Sequence, residues 1–136
     1  MPNTLRLTIV TPEAEVFSGE VDMVTLPGVE GELGIFPMHT PLMTQIEPGE
    51  LVLRRGTEET HMAVGEGFAE ITGDHVTVIT DMAIEAADID EARVEEARRR
   101  AEARLKEKLS AEDAALVQAT LARTAAQLKV KRSRKG

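Results

Sequence analysis

Val76-Thr77-Val78-Ile79-Thr80 is the last stretch of this chain that reads as a strand, and Asp88-Ile89-Asp90-Glu91 is the first that reads as a helix start. The former follows a Gly73-Asp74 turn and carries the β-branched residues that suit a pleated surface. The latter offers helix N-caps, with Glu91 three residues after Asp88 in the spacing of a capping box. Between them the chain changes character. All six Pro lie at or before Pro48, nine of the ten Gly lie at or before Gly73, and the first Lys is Lys106. Charge divides at the same place. Residues 1–86 hold three basic and fifteen acidic residues, a balance of −12, and residues 87–136 hold thirteen and nine, a balance of +4. The formal net charge of −8 therefore hides two surfaces.

Upstream of the switch, Leu5-Arg6-Leu7-Thr8-Ile9 alternates apolar and polar residues, the period of a half-buried strand. Residues 21–26 read as one strand closed by the Pro27-Gly28 turn, and further strands are expected at residues 51–53, 60–64 and 68–71. Short strands with frequent turn signals predict an N-terminal antiparallel β-sandwich over residues 1–86. With three Phe and neither Trp nor Tyr, its core has to be aliphatic.

Downstream, no helix breaker stands between Gly73 and Gly136. Val94, Ala97, Ala101 and Leu105, with Lys108/Leu109 beyond, keep the spacing of one helix face. Ser110 with Asp113 reads as a second capping box, and Ala114, Val117, Leu121, Ala125 and Leu128 form a second stripe. The expected architecture is α+β: the sandwich, then a C-terminal two-helix antiparallel hairpin over residues 87–136. Glu95–Arg99, Glu96–Arg100 and Glu102–Lys106 are expected ion pairs along the first helix. Both stripes are rich in alanine, which favours helix but buries little area, whereas a fully buried Leu contributes ~1.5–3 kcal/mol. The hairpin is thus either a static cap on the sandwich or an element held loosely enough to move.

The composition excludes several chemistries. Without cysteine there is no disulfide, thiol nucleophile or thiolate metal site. A Walker loop needs Gly-Lys-Ser/Thr after glycines, and no lysine precedes residue 106. Gly65-Glu66-Gly67 opens a GxGxxG-like run but has Glu70 at the third glycine position, so it reads as a strand-edge bend. Ser18, Ser110 and Ser133 sit in a turn, a cap and a tail, and His39, His61 and His75 lack metal-ligand spacing. No apolar run approaches the ~20 residues of a membrane span, and the first residues lack the layout of a signal or transit peptide. A soluble intracellular chain is expected.

The block Gly31-Glu32-Leu33-Gly34-Ile35-Phe36-Pro37-Met38-His39-Thr40-Pro41-Leu42 is specific. Together with Ile9-Val10-Thr11-Pro12-Glu13, Phe17-Ser18-Gly19-Glu20-Val21, Pro48-Gly49 and Asp90-Glu91-Ala92-Arg93, it resembles the epsilon subunit of the bacterial F-type ATP synthase, over essentially the whole chain. Met38 stands where that family has Gly, and Thr40 where it often has Ala. A methionine disfavours a positive-φ turn, so the loop's backbone is free to differ there.

The resemblance implies a non-catalytic subunit of the rotor's central stalk in the proton-translocating synthase, peripheral on the cytoplasmic face of the bacterial inner membrane. Its implied partners are the gamma subunit, the c-ring and the beta subunit, with membrane contact only through the complex. It implies that Glu30, Glu32 and His39 face the c-ring, and that the helices extend to block ATP hydrolysis. The basic end, with Lys129, Lys131, Arg132, Arg134 and Lys135, would then meet an acidic segment of beta. Some members bind ATP in the folded hairpin through an I/L-D-x-x-R-A motif and two arginines. Here Ile89, Asp90 and Arg93 match the motif up to Val94, Arg123 matches one arginine, and Gln127 replaces the other. Losing one guanidinium should weaken such binding by ~1.5–3 kcal/mol, so weak or absent ATP binding is expected and no other cofactor.

Nucleic acid is a poor fit for an acidic chain without Tyr or Trp to stack bases. The alternatives are a stand-alone β-sandwich protein-binding module with an amphipathic hairpin, and a small hydrolase using buried carboxylates.

Overall fold

The computed structural model describes residues 4–133. Strands β1 (Leu5–Val10), β2 (Glu15–Val21), β3 (Met23–Gly28), β4 (Gly31–Ile35), β5 (Leu42–Ile46), β6 (Gly49–Arg55), β7 (Glu58–Val64), β8 (Gly67–Thr72), β9 (His75–Thr80) and β10 (Ala83–Glu85) come first. A 3-10 turn at Ala86–Asp88 then leads into helices α1 (Glu91–Arg104) and α2 (Ala111–Ser133). The strands follow the order β10-β7-β6-β3-β5-β8-β9-β1-β2, with β4 added on β3.

The sheet folds over a single aliphatic core. Leu5, Leu7, Ile9, Val24, Leu26, Ile35, Ile71, Val76 and Val78 are all fully buried in it. The alternation in β1 puts Leu5, Leu7 and Ile9 on the inner face, as its period requires. At its edge, the Arg55 guanidinium of β6 lies 5.6 Å from the centre of the Phe17 ring of β2, which packs partly buried against this core, a cation–π contact between strands distant in the sheet order.

The sheet and the start of α1 differ from the sequence expectation in three ways. Residues 21–26 are not one strand, because the chain bends at Asp22. There the Asp22 carboxylate accepts the Gly56 N–H at 2.6 Å and the Asp22 N–H donates to the Arg54 carbonyl at 2.7 Å. The bend lets β2 pair with β1 while β3 pairs with β6. The β1–β9 pair is parallel, Arg6 opposite His75 through Val10 opposite Ile79, while the other ladders are antiparallel. The two strands are joined by most of the sandwich rather than by a hairpin turn, which leaves the parallel arrangement open to them. Finally, Asp90 rather than Asp88 caps α1, its carboxylate accepting the Arg93 N–H at 3.2 Å, while Asp88 ends the 3-10 turn.

Ser110 does cap α2, its hydroxyl accepting the Asp113 N–H at 3.0 Å. Gly65-Glu66-Gly67 is a bend between β7 and β8, and Gly67 is required there: a Cβ would stand 1.8 Å from the Ile79 carbonyl oxygen. Glu96 pairs with Arg100 at 2.7 Å and Glu95 approaches Arg99 at 3.8 Å, but Glu102 pairs back to Arg98 at 3.0 Å. Lys106 lies beyond the end of α1 and so leaves the helical spacing.

The helices run antiparallel, with Arg132 near the end of α2 meeting Glu91 at the start of α1. α2 buries two faces. Val117, Thr124 and Leu128 are buried, as are Ala126 and Val130, which lie on the side toward the sandwich. Val130 joins Ala63 of β7, Ala86 and Ile89 in a small second cluster. Ala122, Ala125 and Ala126 lie beside the Pro48-Gly49 turn. Leu105 and Leu116, by contrast, are exposed.

Candidate functional site

The three sites expected from sequence fall in different parts of the molecule. Glu30 lies in the β3–β4 turn and Glu32 is the second residue of β4, opposite Pro27. That end of the sandwich is tied by hydrogen bonds from Val29 N–H to the Gln45 carbonyl (3.2 Å) and from Glu47 N–H to the Pro27 carbonyl (2.9 Å). His39 lies in the loop after β4, and its ring Nδ1 is 2.6 Å from the Thr40 carbonyl. This loop is tied to the β8–β9 turn, since the Met38 N–H donates to the Asp74 carboxylate at 2.8 Å. The length of β5, about 14 Å, therefore separates the Glu30/Glu32 end from the His39 end. The two glutamates share one hairpin, and His39 is not part of that cluster.

Met38 has φ 66° and is 78% exposed. The loop thus keeps the left-handed turn that a methionine disfavours, held by the Asp74 carboxylate on its amide. The expectation that the backbone would differ at this position is overturned.

Ile89, Asp90, Arg93 and Arg123 do come together. They line a cleft of about 390 Å³ between the start of α1, the middle of α2 and the end of the sheet, within the range of small-molecule sites. Ile89 is buried as its floor, and the Asp90 carboxylate is engaged as the α1 cap. Arg123 is 3.5 Å from the Asp81 carboxylate and donates to the Thr120 hydroxyl at 3.2 Å. Gln127 lines the same cleft, as does Arg100. Arg100 was missed in the sequence reading, although its seven-residue spacing from Arg93 places both on one face of α1. Arg93, Arg100 and Arg123 thus line one cleft together with Asp88 and Asp90, with Arg100 paired to Glu96 and Arg123 to Asp81, and guanidinium groups are the side chains best suited to phosphate oxygens.

Lys131 and Arg132 are committed on the folded hairpin, whereas Lys129 is exposed. Lys129 lines a cleft with Glu32, Glu47 and Glu50, and Lys131 donates to the Ala86 carbonyl at 3.1 Å. Arg132 donates to Glu91 at 2.8 Å and to Glu95 at 2.7 Å. Arg134 and Lys135 lie outside the described residues.

A further surface was not singled out in the sequence. Met43, Phe68 and Ile79 are 65%, 54% and 57% exposed and share the outer face of β5, β8 and β9, with Phe68 directly opposite Ile79. The alternation of these strands contained the signal, since one face is buried and the other still carries large apolar residues. No helix among the described residues is long and apolar enough to cross a membrane.

Residues 4–86 match the family model for the ATP synthase delta/epsilon chain β-sandwich domain, and residues 87–132 match that for its long alpha-helix domain. The ATP synthase epsilon chain of Dehalococcoides mccartyi (strain CBDB1) is 47% identical over 132 residues, covering 96% of this chain and 94% of the relative. That of Bordetella avium (strain 197N) is 47% identical over 135 residues, covering 98% and 96%. Among solved structures, a chain of the Euglena gracilis mitochondrial ATP synthase superposes with a TM-score of 0.77 at 21% identity, covering 95% of this chain and 81% of that one. A chain of the Tetrahymena thermophila mitochondrial ATP synthase central stalk and c-ring gives 0.59 at 12%, covering 97% and 96%. These two likenesses concern the fold. With both of its halves matched in order and close relatives aligned over nearly their full lengths, the chain belongs to the ATP synthase delta/epsilon chain family.

Proposed function

We propose that this chain works in the central stalk of a proton-translocating ATP synthase, joining gamma to the c-ring through its sandwich and restraining ATP hydrolysis through its hairpin. Members of this family are non-catalytic subunits of the synthase. The observation that carries the reading is the uncovered apolar face of Met43, Phe68 and Ile79 on an otherwise acidic sandwich. Exposed apolar clusters of this kind mark protein interfaces, and in this family the natural occupant is gamma. Glu30 and Glu32, projecting from one hairpin, are assigned to the polar loops of the c-ring, where negative charge gives steering and register. His39 is assigned to the same ring from the other end of β5. This places the chain at the cytoplasmic face of a bacterial plasma membrane, held there by its partners.

Co-purification tests the sandwich. Replacing Phe68 and Ile79 by Glu should release gamma while leaving the fold intact, because both side chains are already outside the core. Retention of gamma by that variant would sink the assignment. The hairpin is tested by hydrolysis in the assembled complex. The basic end of α2, extended toward an acidic surface of beta, supplies the restraint. Replacing Lys131, Arg132 and Arg134 by Ala should relieve it at low salt, and unchanged hydrolysis would refute it.

The arginine-lined cleft is assigned as a weak ATP site of the folded hairpin, with Arg93, Arg100 and Arg123 toward the phosphates and Gln127 in place of a further cation. Calorimetry on the isolated chain should find ATP affinity of millimolar order or weaker. Gln127→Arg should tighten it about tenfold, the scale of one charged hydrogen bond. Sub-millimolar affinity in the unaltered chain would contradict the weak-site reading.

A further inference from the structure

Arg132 lies in the last turn of α2, and its two carboxylate partners lie in the first two turns of α1. They are 41 and 37 residues away in the chain. The connecting turn closes one end of the hairpin, so this contact closes the other. Both helices favour it. A carboxylate is stabilised at the positive N-terminus of α1 and a guanidinium at the negative C-terminus of α2, and antiparallel packing brings those ends together. The guanidinium uses its Nε and one terminal nitrogen, the side edge of its fork, at 2.8 and 2.7 Å. Arg98 holds the other oxygen of Glu95, so that carboxylate is fixed from within its own helix before Arg132 arrives. The Glu95 side chain is only 16% exposed, although Arg132 is 54% exposed.

We propose that Glu91 and Glu95 are an internal receptor for the Arg132 guanidinium, closing the open end of the hairpin and withholding this cation from any acidic surface outside the chain. The claim of competition rests on the inhibitory reading given above. The latch itself does not. While latched, the guanidinium is held against the start of α1 by both carboxylates, so it cannot at the same time follow an extended α2 to a surface outside the chain, and latching and external engagement exclude each other by position. The two ends of this single contact therefore act in opposite directions on hydrolysis. Removing the basic end takes away the restraint, whereas removing the carboxylates releases the basic end and strengthens it.

The test uses the full chain with Glu91→Gln and Glu95→Gln together, Arg132→Gln alone, and all three combined. Backbone hydrogen exchange over residues 124–133 of the isolated chain reads the latch directly. The double variant should exchange about fivefold faster there, with the strands unchanged, a modest factor because the contact is partly solvated. The triple variant should match the double, since neither side has a partner left to lose. In the assembled complex the double variant should lower ATP hydrolysis. Faster exchange with lowered hydrolysis supports both latch and competition. Faster exchange with unchanged hydrolysis supports the latch and counts against inhibition by the hairpin. Unchanged exchange, or effects that simply add in the triple variant, overturns the proposal whatever hydrolysis does.

Discussion

The sandwich and the hairpin are built from the same aliphatic alphabet but are held by different means. The sandwich closes over a continuous core of Leu, Ile, Val and Met at zero or one per cent exposure, and no helical residue belongs to that core. The hairpin buries the small residues Ala101, Thr124 and Ala126, with Val117, Leu128 and Val130 as its larger anchors, and leaves Leu105 and Leu116 in solvent. It is fastened at points: the Val130 cluster, the Arg123–Asp81 pair and the Arg132–Glu91/Glu95 latch. A distributed core gives global stability, whereas point fastenings give an element that detaches locally. The proposed function, holding fast to a rotor while releasing an arm, needs both.

The largest expected effect breaks the sandwich. Leu26→Ala removes a fully buried side chain and should lower the urea-unfolding free energy by ~2–5 kcal/mol. A loss below about 1 kcal/mol would mean that the core is not the store of stability described. Val130→Ala is the matching change in the hairpin. It removes two methyl-sized groups from the docking cluster, about 1.5 kcal/mol of burial. Hydrogen exchange should show that loss in α2 alone, with β1 and β9 still protected. If the strands loosen equally, hairpin and sandwich form one cooperative unit and the contrast fails.

A smaller effect is expected inside the sandwich, in the direction of stabilisation. Met38 sits at φ 66°, where glycine is unstrained, so Met38→Gly should raise the melting temperature by a few degrees, a net ~0.5–1 kcal/mol after glycine's entropy. The smallest concerns acidity. Arg98 first, then Arg132, hold the Glu95 carboxyl below the usual glutamate range, and Glu91 followed by Glu95 raises Arg132. A depressed carboxyl stabilises the folded form above its unfolded pKa and loses that contribution as pH falls through the folded one. Protection of α2 should therefore be flat at neutral pH and decline on acidification below the ordinary glutamate range. Glu95→Gln should remove that decline.

Much of this was legible because it is local. The alternation of Leu5, Leu7 and Ile9, the Ser110 cap and the Asp90–Arg93 motif each lie within a few residues, where periodicity and hydrogen-bonding chemistry act directly. What escaped depends on distant partners. β4 carries Gly31 and Gly34 and becomes a strand only because β3 pairs with it. The break at Asp22 depends on the Gly56 amide far along the chain, and the parallel β1–β9 pair joins the two ends of the sandwich. α2 faces two neighbours at once, so a single stripe accounts for only part of its burial. At the candidate sites the arginine cleft was half visible, with Arg123 assigned and Arg100 overlooked on its own helical spacing. The basic end read as meeting an acidic surface outside the chain, and only the fold shows that Arg132 already has partners within it.

ATP hydrolysis by the assembled complex, with the full chain and with a chain ending before Asp88, tests the division of labour most directly. The buried sandwich core contains no residue beyond Val78, so the shortened chain retains the half proposed to bind gamma. At low salt the account predicts faster hydrolysis with the shortened chain and undiminished co-purification of gamma. Equal hydrolysis by the two complexes, with gamma bound in both, would contradict it.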